Sequence, residues 1–328
     1  MNWRTEIEES DIPIEIDYQS NCLLLGSCFA ENIGSLLADH KFHCSVNPSG
    51  INYNPVSLLK QLSLATSTHT FDEQELRLRD STYVHLDFHS QFADSKKETC
   101  LNELAKATER LNTELKKANV IFISLGSSIV FKLKETGAVV SNCHKLPASL
   151  FEQYLLTQIE VNKAIEDTVS AIKKANANTS IVFTVSPIRH SRHGLINDNR
   201  SKAQLISAVH SVVDKHAHCY YFPSYEIMKD DLRDYRFYAE DLVHPTPSAI
   251  NYIWECFIKA VMSSQTQSTF KEIEGIHKQL GHRFLTSDPV QQIQFLENLK
   301  KKISQHKLSD RFVYELEDID AKLVELVS

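Results

Sequence analysis

Val120-Ile121-Phe122-Ile123-Ser124-Leu125, a nearly unbroken apolar run that stops at Gly126, constrains the fold more than any other stretch of this chain. A strand with one wet face alternates apolar and polar residues. A run without that alternation needs cover on both faces, as the strands of parallel sheets have. Ser180-Ile181-Val182-Phe183-Thr184-Val185 repeats the pattern and ends at Ser186-Pro187. Cys22-Leu23-Leu24-Leu25, ended by Gly26, and Cys219-Tyr220-Tyr221-Phe222 are shorter versions. Residues 41–54 read as another short strand running into the turn-rich Asn47-Pro48-Ser49-Gly50. Between the strands, apolar residues recur at helical spacing: Ala30, Ile33, Leu36 and Leu37; then Leu101, Leu104, Ala105, Leu111 and Leu115. Further helices are expected over 151–174, 201–216 and 249–262. Strands alternating with helices predict a three-layer α/β/α sandwich around a mainly parallel sheet.

The texture changes after Ser263. Residues 263–268 are polar and linker-like, and beyond Phe270 dense charges alternate with helically spaced Ile293, Phe295, Leu296, Leu299 and Ile303. The expected organisation is one domain over 1–264 and a helical extension over 265–328, whose apolar face is compatible with a homodimer. With 42% hydrophobic and 23% charged residues in 328, the chain has enough apolar material for one large core. A net charge of −7 argues against a nucleic-acid partner, which calls for a basic stripe. No apolar segment is long enough for a membrane helix, and residues 1–17 are too acidic for a secretory signal. The 7 cysteines are scattered without a Cys-x-x-Cys pair, which fits reduced thiols and a cytoplasmic location.

Open parallel sheets bind ligands beyond the carboxyl ends of their strands. Ser27 stands there, after Gly26, at a strand-to-helix turn expected to present its hydroxyl at the mouth of the sheet. From spacing alone, a helix cap is the commoner role for such a serine. Cys28 is a rival nucleophile, since the positive end of a helix dipole sits beside it. Asp241-Leu242-Val243-His244, followed by Pro245 and Pro247, is a loop. In it an Asp can accept from the histidine Nδ1–H and leave Nε2 as a base. Arg189, His190, Arg192 and His193 form a basic cluster suited to an anionic group or to a solvated loop. No metal or cofactor is expected: His216 and His218 lie at the wrong end of a strand, and two ligands do not make a zinc site.

Gly26-Ser27-Cys28-Phe29-Ala30 resembles the pentapeptide that names the GSCFA family, a branch placed with the SGNH hydrolases. Asn47-Pro48-Ser49-Gly50-Ile51-Asn52-Tyr53-Asn54-Pro55, His89-Ser90-Gln91-Phe92, Ile123-Ser124-Leu125-Gly126, Asn142-Cys143-His144-Lys145-Leu146-Pro147, Thr184-Val185-Ser186-Pro187-Ile188-Arg189-His190 and the stretch from Asp234 to Pro245 also resemble family blocks, in family order. The resemblance implies a flavodoxin-like fold and a triad of Ser27, Asp241 and His244. It implies an oxyanion site from the N–H groups of Ser27 and Gly50. Where the third SGNH block, Gly-x-Asn, carries an asparagine donor, Gly126-Ser127-Ser128 has serine. Ser128 or Asn142 is the expected replacement. His144, Lys145 and Arg189 are candidate substrate contacts, with ordinary loop roles equally open for His144 and Lys145. The implied reaction is hydrolysis of a small-molecule or glycan ester, with short acyl groups such as O-acetyl preferred. The alternatives are a catalytically weak binding module and an acyltransferase using the same triad.

Overall fold

The computed structural model of the chain describes residues 5–8, 12–284 and 288–327, so part of the 1–17 segment lies outside the described residues. Along the chain come β1 (Asn21–Gly26), α1 (Cys28–Asp39), β2 (His43–Val46), α2 (Pro55–Thr66), β3 (Leu76–Arg79), β4 (Thr82–His85) and α3 (Lys97–Lys117). Then follow β5 (Val120–Leu125), β6 (Ile129–Leu133), β7 (Val139–Val140), β8 (Phe151–Leu155), α4 (Gln158–Ala175), β9 (Ser180–Val185), α5 (Leu195–Val213) and β10 (Cys219–Tyr221). The single turn α6 (Ser224–Glu226) and the helices α7 (Pro247–Val261), α8 (Ser264–Leu280), α9 (Pro289–Ser304) and α10 (Val313–Val327) complete it.

The apolar runs do what their lack of alternation requires. β10, β9, β5, β1 and β2 form one five-stranded sheet in that order, and all its pairs are parallel. Alternate residues of each strand point to opposite faces. Leu24, Phe122 and Val182 pack against Phe29, Ile33 and Leu37 of α1 and Ile253, Trp254 and Phe257 of α7. Leu23, Leu25, Ile121, Ile123 and Phe183 pack on the other side against α2, α3, α4 and α5 through residues such as Leu62, Leu115, Ile165 and Leu205. The result is a three-layer α/β/α sandwich.

The structure corrects the expected helix over 151–174. Phe151–Leu155 is strand β8, paired antiparallel with β6. The helix starts only after Thr157, whose hydroxyl accepts from the Glu160 N–H while the Glu160 carboxylate accepts from Thr157 N–H. That reciprocal cap fixes the boundary. Upstream of it, the backbone pairs with an available edge instead. The three-stranded sheet β7-β6-β8 and the β3–β4 hairpin are additions that the sequence reading lacked. Helix α5 starts at Leu195 rather than 201, with an exposed first turn (Leu195, Ile196) that carries no apolar periodicity.

The C-terminal helices extend the α1/α7 layer. Phe270, Ile273, Leu299, Ile303 and Phe312 belong to the same buried cluster as Leu37 and Trp254. Arg311 donates to the carbonyls of Lys41 (2.6 Å) and Tyr18 (2.7 Å) and ties the tail to the turn after α1. These five apolar side chains are thus buried within the chain, while Val290 and Tyr314 of the C-terminal helices are exposed. Among the described residues, no helix is long and apolar enough to cross a membrane.

Phe312, fully buried between the tail and the sandwich, anchors this attachment. Phe312→Ala is expected to remove about 3–5 kcal/mol of stability, read as a lower urea midpoint. A loss below about 1 kcal/mol would show that the tail is not part of the cooperative core.

Candidate active site

The carboxyl ends of β1 and β5 approach so closely that only glycine fits at position 26. Gly26 has φ +117°, and a Cβ there would lie 2.1 Å from the Ser124 carbonyl oxygen. Its N–H donates to Asn47 Oδ1 (2.8 Å), and its carbonyl accepts from Asn52 N–H (3.0 Å), so the 47–54 loop is clamped over the turn. The Tyr53 carbonyl accepts from both Gly126 N–H (2.8 Å) and Ser127 N–H (2.9 Å), which ties the same loop to the end of β5.

Ser27 is the N-cap of α1, and its Oγ accepts from Phe29 N–H (3.2 Å). The Oγ also shares a 2.8 Å hydrogen bond with Ser124 Oγ, and the Ser27 N–H donates to Ser124 O (2.9 Å). At 1% exposure the residue is turned inward. This corrects the expectation that the turn presents the hydroxyl at the mouth. An N-cap side chain folds back over its own helix start, and Ser124 holds it there. Cys28, the first residue of α1, is half-buried instead, with Sγ 3.3 Å from Tyr53 Oη. Burial and the contact with Cys28 raise the Tyr53 pKa above the ordinary phenol value, so its hydroxyl keeps its proton.

The 239–246 segment is a tight reversal. Ala239 N–H donates to His244 O (2.8 Å), Leu242 N–H donates to Ala239 O (2.9 Å), and Leu242 takes the left-handed φ of +55° that the turn requires. Asp241 Oδ1 accepts from the N–H groups of Val243 (2.9 Å) and His244 (3.0 Å), and Oδ2 lies 2.6 Å from His244 Nδ1. Hydrogen bonds from the His244 backbone and ring, then from Val243 N–H, hold the Asp241 carboxyl down at about 2. The pair is half-exposed, and Nε2 has no hydrogen-bond partner among the described residues. Pro247 then starts α7 behind the Thr246 cap.

The β9 loop joins the two. Arg189 N–H donates to Val243 O (3.2 Å), and the His190 ring meets Tyr53 edge-on at 5.6 Å. A side chain at Gly126 would crowd both His190 Nε2 and the Tyr53 ring. Burial, helped by the charge of Lys202, lowers the His190 pKa to about 4, and His244 adds to the effect. Cys28, Tyr53, His190 and the Asp241–His244 pair therefore form one neighbourhood.

Several expected contacts are engaged elsewhere. Gly50, at φ +91°, donates its N–H to Asn47 O (2.7 Å), closing its own turn rather than pointing at a substrate. Ser128 is fully buried, with its hydroxyl on Gln204 Oε1 (2.7 Å) and its N–H on Ser201 Oγ (2.7 Å). Asn142 accepts from His144 N–H (2.8 Å) and donates to Ser90 Oγ (3.3 Å). His144 is buried, with Nε2 2.9 Å from His85 O, and Lys145 is exposed. Arg189 donates from Nε to the buried Asp198 (2.5 Å). Apart from the local turn at Gly50, these assignments follow from packing between distant segments that spacing does not report. Tyr53, Ser124, Asp198 and Lys202 were not singled out in the sequence. Tyr53 and Ser124 did lie inside quoted motifs, but as neighbours of other candidates.

Residues 21–257 match the model of the GSCFA family. This chain belongs to the GSCFA family. The GSCFA match begins at the first residue of β1 and ends inside α7, so it contains the turn, the clamp loop and the Asp241–His244 loop and stops short of α8. No curated protein matches the chain.

Two outcomes follow. Asp198 sits at 1% exposure with Arg189 on one oxygen and His190 N–H on the other (3.1 Å). Asp198→Ala strands the guanidinium beside the buried Lys202 and is expected to destabilise by about 3–5 kcal/mol in a denaturant melt. The folded pKa of His190 lies below its ordinary 6.5, so the unfolded chain takes up this proton first. The contribution is whole above pH 6.5 and is lost as pH falls toward 4. An NMR titration should find the ring neutral at about pH 5.5, and a charged ring there would contradict the packing.

Proposed function

We propose that this chain is an SGNH-type hydrolase that transfers the acyl group of an ester, such as an O-acyl or O-acetyl group on a carbohydrate, to water. The observation that carries the reading is the Asp241–His244 pair. A carboxylate fixed by two backbone N–H groups holds the imidazole Nδ1 at 2.6 Å and leaves Nε2 without a partner among the described residues. That is the arrangement of a general base with an orienting anion. The pair stands at the carboxyl end of a parallel sheet, where such folds bind ligands.

The Ser27-Cys28 turn supplies the nucleophile. Ser27 is the residue implied by the family resemblance, and an attack from it requires its Oγ to leave Ser124. His244 Nε2 takes the nucleophile's proton and returns it to the leaving alkoxide. Asp241 stabilises the imidazolium between the two transfers. Water then attacks the acyl-enzyme with His244 again as base. A second reading, a hydrolase fold used to bind acylated glycans, draws support from Ser128 and Asn142: both spend their donors inside the protein.

Hydrolysis of a chain-length series of p-nitrophenyl esters tests the reading. Wild type is expected to cleave the short esters, and His244→Ala to lose about 1000-fold in kcat/KM. Equal rates in both would remove His244 from the mechanism, and an inert wild type would favour the binding reading.

A further inference from the structure

We propose that Cys28, not Ser27, is the nucleophile of this site, and that the acyl-enzyme is a thioester. This inference rests on the acyl-transfer reading above. Two neighbouring residues occupy the turn, and helix geometry gives them opposite fates. The N-cap side chain bends back over the helix start, whereas the side chain at the next position projects from it. Ser27 has both its hydroxyl and its N–H committed to Ser124 and is 1% exposed. Cys28 is half-buried, with its thiol beside Tyr53 Oη at 3.3 Å. Phe29 and Ala30 donate their N–H groups back to Ser27, whereas the Cys28 N–H has no partner among the described residues. One residue thus offers both things acyl transfer needs at one point: a reachable nucleophile and an oxyanion donor at the positive end of a helix.

Tyr53 is the positioning residue. Its carbonyl is pinned by Gly126 and Ser127, its ring is braced edge-on by His190, and its hydroxyl reaches the sulfur. The steps balance without an external oxidant or reductant. His244 removes the thiol proton, sulfur bonds to the ester carbonyl carbon, and the carbon–oxygen bond to the alcohol breaks. The alkoxide takes the proton from His244. Water, deprotonated by His244, then attacks the thioester, and sulfur leaves and recovers the proton.

The experiment is acid quenching of full-length protein turning over p-nitrophenyl acetate, followed by peptide mass spectrometry that fragments between residues 27 and 28. The expected result is acetyl on Cys28 in the wild type, removed by neutral hydroxylamine as thioesters are and absent in His244→Ala. Cys28→Ser is expected to carry a hydroxylamine-resistant acetyl group, and Cys28→Ala to lose about 1000-fold or more in kcat/KM. Acetyl on Ser27 of the wild type would overturn this inference and leave the hydrolase reading standing. Neither an acyl group on the turn nor turnover of any ester would overturn both.

Discussion

The contact between the ends of β1 and β5 is the constraint on which the site depends. At Gly26 the backbone passes so close to the Ser124 carbonyl that a Cβ would overlap it at 2.1 Å, and the φ of +117° excludes other residues independently. Because the strands close to this distance, Ser27 reaches Ser124 with both its N–H and its hydroxyl. Because the Gly26 peptide groups face away from that contact, they are free to hold Asn47 and Asn52. One close approach therefore sets the direction of α1, the seat of the 47–54 loop and the position of Tyr53.

The opposite wall rests on buried charge. Lys202 is fully buried on α5 and donates to the Ser186 carbonyl (2.7 Å), while Asp198 holds Arg189 and the His190 N–H. Burial pushes the Lys202 ammonium down to about 7, with the Asp198 carboxylate opposing it. An apolar core would be cheaper to build than these ions. What they achieve is placement: they fix the 186–190 loop, which carries Val243 through the Arg189 N–H and sets the His190 ring against Tyr53. Burial, helped by that positive charge, keeps His190 neutral, so the wall it forms does not repel the imidazolium formed at His244 during transfer.

The Asp241–His244 pair differs from both walls in being local. Its geometry comes from a reversal of a few residues, with Leu242 held left-handed so that one carboxylate receives two backbone N–H groups and the ring. What the fold adds is its tie to Arg189 and the Tyr238–Pro245 bridge, which aim it at the sheet.

Features set by local physics were legible in the sequence. The apolar runs of β5 and β9 required cover on both faces and so dictated a parallel sheet between helical layers. Gly26 marked a tight turn, and Asp241 and His244 could be paired because three residues and two prolines confine them to one loop. Features set by contacts between distant segments were not legible. Phe151–Leu155 pairs as a strand because β6 offers it an edge. Ser128, Asn142 and His144 looked available, yet Gln204, Ser90 and His85 respectively occupy their hydrogen-bonding groups. The sequence placed Ser27 and Cys28 side by side at the turn. Only the tertiary structure decided which faces inward, because Ser124, brought there by the β1–β5 pairing, claims the serine and leaves the cysteine beside Tyr53.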